Sequence, residues 1–387
     1  MIDTKMPMQV VLQVLPHMGA GGLVRGAIEA AAAQVGAGWA ALVASEGGNG
    51  VRELERLGAR HFKLPLSSKN PVIMYRNIQR LRSLVKEHKI NLLHARSRAP
   101  AWSALAAARR SGIPLITTFH GTYGHRSRLK RRYNRVMTLG DGVISISQHI
   151  ADHIKEVYGV SDGRVRVIYR GIDTDLFDPA RVTPERVVGL ANEWRLADPI
   201  PVIMMPGRLA RWKGQKILIE ALALLGRRDL RCLIIGDDQG RRRYRRELET
   251  LIKRRNLEDI VHLPGHCRDM PAAYMLSDVV VSASIEPEAF GRVMVEAQAM
   301  GRPVVASDHG ASRETILSGK TGWMFLPGDP KDLATALARS LALATEEREK
   351  LAQEAIAHAR RRFTVENMRD CTMNTYREVL TQSASVS

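Results

Sequence analysis

Short runs rich in valine, isoleucine and leucine recur along the whole chain, each followed by a turn and then by a segment with helical apolar spacing. The runs cover 8–15, 39–45, 59–64, 90–94, 115–119, 142–147 and 165–169, then 201–205, 230–235, 260–263, 279–284, 304–307 and 322–325. Helical spacing fills most of the gaps, for example 26–35, 70–88, 148–157, 215–225 and 293–300. A strand apolar on successive residues needs cover on both faces, and strands separated by helices pair in parallel through crossovers. The alternation therefore predicts an α/β chain built from two doubly wound domains. A length of 387 residues, 45% of them hydrophobic, suits two or three such units. The expected boundaries are a first domain over 1–175, a linker rich in proline and charge over 176–200, a second domain over 201–362, and a last helix with its tail over 363–387. Residues Gln382–Ser387 are expected to be disordered.

The chain carries a formal charge of +18. Nucleic acid, an anionic membrane surface and a phosphorylated substrate would each answer that charge. Aromatic residues make up only 5%, and no zinc-finger or aromatic RNA-recognition spacing occurs, which weakens the nucleic-acid reading. Three distant cysteines (Cys232, Cys267, Cys371) have no metal spacing and point to a reducing compartment. Neither a leader-like start nor an apolar run long enough to span a bilayer is evident.

The most informative stretch is Pro287–Gly301, PEAFGRVMVEAQAMG. It follows the strand 279–284 and runs into the helix 293–300, which Gly301 and Pro303 end. Glu288 therefore sits on the loop beyond a strand, and Glu296 about two helical turns later. In open α/β sheets ligands bind beyond the carboxyl ends of strands, so both carboxylates could serve one cleft; capping or solvation is the plain alternative for either alone. Phe290-Gly291 forms a tight turn ahead of Arg292 and Val293. A second strand-to-helix turn, Pro206–Gly214, carries Arg208, Arg211 and Lys213 between glycines, a suitable grouping for pyrophosphate. A third, His17–Arg25, is glycine-rich but lacks the third glycine of a dinucleotide fingerprint. His120 ends the strand 115–119 beside Gly121, where backbone and ligand can approach closely.

The spacing of Glu288-Ala-Phe-Gly and Glu296-Ala-Gln-Ala-Met-Gly-Arg-Pro-Val-Val305 resembles the E-x7-E signature of retaining glycosyltransferases with the GT-B fold, in particular glycosyltransferase family 4. Ala289 stands where glycine is common. Gly207-Arg208-Leu…Lys213-Gly214 is similar to the family's GRL-x3-KG, Gly21-Gly22-Leu-Val-Arg25 to its GG-x2-R loop, and His309–Glu314 to its GG-x2-E turn. Tyr169-Arg170-Gly-Ile-Asp173 departs from the usual Pro-Asn-Gly-Val-Asp at Arg170. The resemblance implies two Rossmann-like domains facing an interdomain cleft, with the last helix crossing back to the first domain. It also implies a nucleotide-diphospho-sugar donor and no metal or other cofactor. By the same resemblance, Arg208, Lys213, Gly21, Gly22 and the turn Phe290–Val293 would hold the diphosphate. Glu288 and His120 would contact the sugar, Glu296 the ribose, and the loop ending at Arg268 the base.

The acceptor expected from this resemblance is a cell-envelope saccharide or glycolipid, with lipopolysaccharide core as the specific case, reached from the cytoplasmic face of the inner membrane. Arg96 and Arg98, beyond the strand 90–94, are either an anionic-acceptor site or a solvated loop. The basic segment His125–Arg135, with Leu129, Tyr133 and Val136 on one helical face, is either a contact for anionic lipid or an exposed face. Two other readings stay open: a nucleotide-sugar epimerase or disaccharide-phosphate synthase on the same fold, and a basic nucleic-acid-binding protein.

Overall fold

A computed structural model of the chain describes residues 8–19, 21–124, 127–196 and 200–385. The chain divides into two units, residues 1–170 with 365–387, and residues 171–364. The first unit alternates β1 (Val10–Val14), α1 (Gly22–Gly36), β2 (Ala40–Ser45), α2 (Gly50–Arg56), β3 (Arg60–Lys63), α3 (Pro71–Glu87), β4 (Leu92–Ala95), α4 (Arg98–Ser111), β5 (Leu115–Phe119), α5 (Arg128–Asn134), β6 (Gly142–Ser145), α6 (Gln148–Tyr158) and β7 (Val165–Val167). Its seven strands are all parallel, in the order β3-β2-β1-β4-β5-β6-β7. β1 and β5 are buried at every residue, polar Gln13, Thr117 and Thr118 included, as strands covered on both faces must be. Two helices are capped by side chains: Ser147 Oγ accepts from Ile150 N at 3.2 Å, and Asn70 Oδ1 from Val72 N at 2.9 Å.

The second unit comprises α7 (Pro184–Glu193), β8 (Val202–Pro206), α8 (Gln215–Leu225), β9 (Arg231–Ile235), α9 (Arg242–Arg254), β10 (Val261–Gly265), α10 (Met270–Leu276), β11 (Val279–Ser282), α11 (Arg292–Ala299), β12 (Val304–Ser307), α12 (Ser312–Thr315), β13 (Gly322–Phe325), α13 (Pro330–Leu341) and α14 (Thr345–Arg362). Its parallel sheet runs β10-β9-β8-β11-β12-β13 around a core that includes Ile203, Leu218, Cys232, Val281 and Leu333. In each sheet the strand order reverses once, between β1 and β4 in the first and between β8 and β11 in the second. Those two reversals are where crossing helices diverge and leave a crevice at the strand ends.

Three expectations need correction. The segment 176–200 is not a spacer as far as it is described: Phe177 meets Tyr274 edge to face at 5.9 Å, and Arg186 on α7 forks onto Asp269 at 2.6 and 2.8 Å. Burial of Phe177 and a bidentate ion pair bind this stretch into the second unit. Leu129, Tyr133 and Val136 do not share a helical face. α5 ends at Asn134 and a tighter turn over Arg135–Thr138 carries Val136 into the core, while Leu129 is 79% exposed. His125 and Arg126 lie outside the described residues. The final helix, α15 (Val365–Ala384), continues through the start of the expected disordered tail; Val386 and Ser387 lie outside the described residues. α15 packs in the first unit, where its buried Tyr376 bonds His94 Nδ1 at 2.6 Å and stacks on Trp39 at 6.5 Å.

Candidate active site

In the second unit the β8–α8 turn and the β11–α11 loop are stitched together at the sheet reversal. Ile285 N donates to Trp212 O at 2.7 Å. Gly214, at φ 78°, lies so close to Ala283 O that no side chain fits between them. That contact brings Lys213 to Glu288, whose Oε1 accepts from Lys213 Nζ and, at 2.6 Å, from Ser284 Oγ. The two side chains are only 16% and 10% exposed. Trp212 supports the ammonium from the side, 4.4 Å from its ring centroid. A third loop fixes the carboxylate's backbone: Ala311 N donates to Glu288 O at 3.0 Å, and Gly310, at φ 58°, leaves no room for a Cβ against Glu288. Glu288 Oε2 accepts no hydrogen bond from a described residue. Its lone pairs remain for a ligand hydroxyl.

Glu296 forms a second acidic centre on α11. Tyr274 OH donates to its Oε2 at 3.0 Å, and Arg292 Nε stands 3.5 Å from its Oε1 one turn earlier. Burial, then the Glu296 charge, pushes the Tyr274 phenol well above its usual range, so it stays a donor. No side chain caps α11 and no acid occupies its first turn, which leaves the leading N–H groups of Arg292 and Val293 for an anion. Arg208 and Arg268 are exposed and carry no ion pair with a described residue.

Phe290 limits the ways the expected turn could meet a ligand to those through its backbone. Its side chain is a core residue, 3% exposed and edge to face with Phe363 at 5.7 Å, so it shapes the turn from below and cannot meet a ligand with its ring. Asp237 and Asp238 accept the backbone N–H groups of Gln239 and Gly240 at 2.8 Å each, which makes them turn formers.

In the first unit Gly21 and Gly22 open α1, again without a side-chain cap or an acid in the first turn. Arg25 is tied to Glu29 and Glu53 at 2.7 Å each. His120 Nδ1 meets Arg170 Nη2. A guanidinium only donates, so Nδ1 must accept and the neutral ring carries its proton on Nε2. That Nε2 is buried and has no hydrogen-bond partner among the described residues. Burial, then the charges of Arg170 and Arg96, holds the His120 pKa well below 6.5, which keeps the ring neutral. Arg170 in turn lies against the bare face of Gly26. Its departure from the usual asparagine is thus matched by a contact with a predicted site residue.

The Arg96–Arg98 pair is split where the end of β4 turns into α4. Arg96 is 3% exposed and donates from Nε to Gln13 Oε1 at 2.5 Å, while Arg98 stacks 4.4 Å over Tyr123 and donates to Asn134 at 3.2 Å. Ser284, Tyr274 and Arg170 were not assigned from sequence. Ser284 and Tyr274 have no signal of their own there; Arg170 announced itself as the break in a motif.

Residues 20–176 match the family described as Glycosyltransferase Family 4, and residues 191–358 match Glycosyl transferases group 1. The chain is 32% identical to a glycosyltransferase of known structure from Rickettsia africae, with a TM-score of 0.90 over 97% of this chain and 99% of that one. The chain belongs to glycosyltransferase family 4. This family 4 chain has the paired parallel Rossmann-like sheets of the GT-B fold. It is also similar to Anabaena HepE, solved in complex with UDP and glucose, at 26% identity and a TM-score of 0.81 over 95% and 98% of the two chains. A curated relative, D-inositol 3-phosphate glycosyltransferase of Xylanimonas cellulosilytica, is 30% identical over 256 residues, 61% of this chain and 60% of that protein. The matched stretch thus spans about three-fifths of that relative's length.

Proposed function

We propose that this family 4 chain is a retaining glycosyltransferase that moves a sugar from a nucleoside-diphosphate sugar to a cell-envelope saccharide or lipid-linked acceptor. The Lys213–Glu288–Ser284 cluster at the β8/β11 reversal carries the reading. Rupture of the anomeric C–O bond leaves negative charge on the diphosphate and positive charge on the sugar. Lys213 and Arg208 take the first, aided by the open start of α11; Glu288 holds the sugar's hydroxyls and faces the second. These groups are anchored before the reaction by Gly214 and Gly310, so little reorganisation is left to the chemical step. Glu296, braced by Tyr274, accepts the ribose hydroxyls. His120 offers Nε2–H to a sugar oxygen, and the departing phosphate takes the acceptor's proton. The chain's own cations suffice for the leaving group in this scheme, with no metal or further cofactor.

A UDP-sugar is the donor class to try first, because HepE was solved with UDP and glucose. Two acceptors fit the envelope reading: lipopolysaccharide core, and an inositol phosphate of the kind in the Xylanimonas relative's name. No helix among the described residues is long and apolar enough to cross a membrane. The exposed Leu129 among the cations of α5 supports peripheral docking on the anionic inner face of the cytoplasmic membrane. The test is to incubate the purified chain with UDP-sugars and each acceptor class, and to read the anomeric configuration of the product by NMR. An inverted product removes the retaining assignment. Failure to bind or turn over any nucleotide sugar removes the transferase reading.

A further inference from the structure

We propose that a cavity of the second unit, away from the Glu288 loop, is a separate site for a sugar bearing one carboxylate, the chemistry of a uronic acid. The cavity has a volume of about 580 Å³, within the range of small-ligand sites. Its walls come from the loop before β13, the start of β13, the end of α13 and the first turns of α14. All strands of this sheet are parallel, so the start of β13 lies on the opposite edge from the turns that carry Lys213 and Glu288. The site is therefore independent of the transfer reaction proposed above.

Trp323 in the cavity wall points to a ligand. It is 7% exposed, and its Nε1–H has no hydrogen-bond partner among the described residues. An indole N–H only donates, and a buried donor without an acceptor carries a desolvation cost that a bound acceptor relieves. Arg339 holds its guanidinium over the same ring, 5.5 Å from the centroid. Lys320 and Lys350 are exposed, and neither they nor Arg339 forms an ion pair with a described residue. These donors reach one cavity from three directions: Lys320 and Trp323 from β13 and its loop, Arg339 from α13, and Lys350 from α14.

The acids in the wall decide the class of anion. Glu347, Lys350, Leu351 and Glu354 share one face of α14 by helical spacing, so two carboxylates flank Lys350. Glu347 Oε2 accepts from Ala344 N at 3.1 Å, and Glu354 forms no ion pair with a described residue. Three cations against two carboxylates leave one positive charge in surplus, which a monoanion answers. A phosphate dianion would exceed that surplus and be repelled by both acids, and the ammonium of a zwitterion would be opposed by all three cations. The fork of Arg339 and the indole N–H suit a planar carboxylate. The free lone pairs of the glutamates take hydroxyl protons, and Leu343 with Leu351 gives an apolar floor for the C–H face of a sugar ring.

The test is calorimetric titration of the full chain at about 0.15 M salt, where loose surface attraction is screened. The probes are glucuronate, glucose, inorganic phosphate and a galacturonate oligomer, with tryptophan emission followed in parallel. Wild type is compared with Trp323→Phe, which keeps an aromatic ring without the N–H, and with Lys320→Ala/Lys350→Ala at two exposed positions. Thermal melting verifies the fold of each variant, and a separate UDP titration reports the donor site. The expected result is glucuronate binding with a change in tryptophan emission, no binding of glucose, and weaker binding of phosphate. Affinity should fall on the order of tenfold in each variant, with the emission change lost in Trp323→Phe and UDP affinity unchanged. Binding of glucuronate identifies a free sugar acid as sufficient; binding of the oligomer alone identifies a unit within an acidic polysaccharide. The proposal is overturned if neither binds, if glucose binds equally well, or if phosphate binds more tightly. It is also overturned if the double-lysine variant, or a folded Trp323→Phe variant, binds as wild type does. Failure of wild type to bind UDP would instead strike the donor reading and leave this site standing.

Discussion

Replacing Lys213 by methionine removes a charge while keeping most of the side chain's volume, and it separates what the Lys213–Glu288 pair does for folding from what it does for catalysis. The pair is largely buried, at 16% and 10% exposure, so its loss exceeds that of a surface salt bridge. Removing one partner of a fully buried pair costs about 3–5 kcal/mol. Here Ser284 still bonds Glu288 Oε1, and Oε2 stays open to ligand or water, so the cost should fall to about 1–2 kcal/mol. For a unit spanning residues 171–364 that corresponds to roughly 2–8 °C in melting temperature. Adding Glu288→Gln removes the stranded charge and should restore most of this loss, because a neutral pair needs no counter-ion. Turnover behaves differently. Each single variant should lower kcat on the order of 10²–10³-fold, and the double variant should regain none of it. The assay is scanning calorimetry beside UDP release from the donor identified by the screen. Recovery of turnover in the double variant, or wild-type kcat in Lys213→Met, would refute the assignment of Lys213 to the leaving group.

Gly214→Ala should destabilise the second unit by at least about 2 kcal/mol in denaturant unfolding, since it combines positive φ with a steric clash at Ala283 O. Tyr274→Phe should raise the KM for the nucleotide sugar several-fold with kcat little changed, because it loses one hydrogen bond to a group that holds the ribose. His94 and His120 are held neutral, with pKa values well below 6.5, so the unfolded chain binds more protons than the native one as pH drops. Stability should be fully present above pH 6.5 and fall by about 1.4 kcal/mol per pH unit for each histidine well below it, checked by urea melts from pH 7.5 to 5. His120→Gln, whose amide can donate from the Nε2 position, should retain more transfer than His120→Ala; equal loss in both would show that the donor at Nε2 is irrelevant.

Much of the fold was legible because two periodicities state it directly. The buried runs that became β1, β5, β8 and β11 are mostly apolar or β-branched without a polar face, the pattern of a parallel sheet covered on both sides. The cap at Ser147 is local chemistry of the same kind, a serine one residue ahead of the helical stretch 148–157. Legibility failed where a decision rested on distant partners. The turn after Asn134 breaks a helical pattern because Val136 finds the core, and the stretch around Phe177 looks like a linker until Tyr274 is opposite it.

The site divides along the same line. Spacing put Glu288, Arg208 and Lys213 on turns beyond parallel strands and Glu296 on the helix that follows, near the edge where such sheets bind ligands, while their expected roles came from the family resemblance. Spacing could not say which of them touch. Only the packed loops bring Lys213 onto Glu288, turn Phe290 into the core, set Tyr274 under Glu296 and put Arg170 against His120. Those contacts join residues tens of positions apart, and no local preference of the chain encodes them. They exist because the close approach at Gly214, the burial of Phe290 and the return of the chain through each sheet leave these side chains no other place to be.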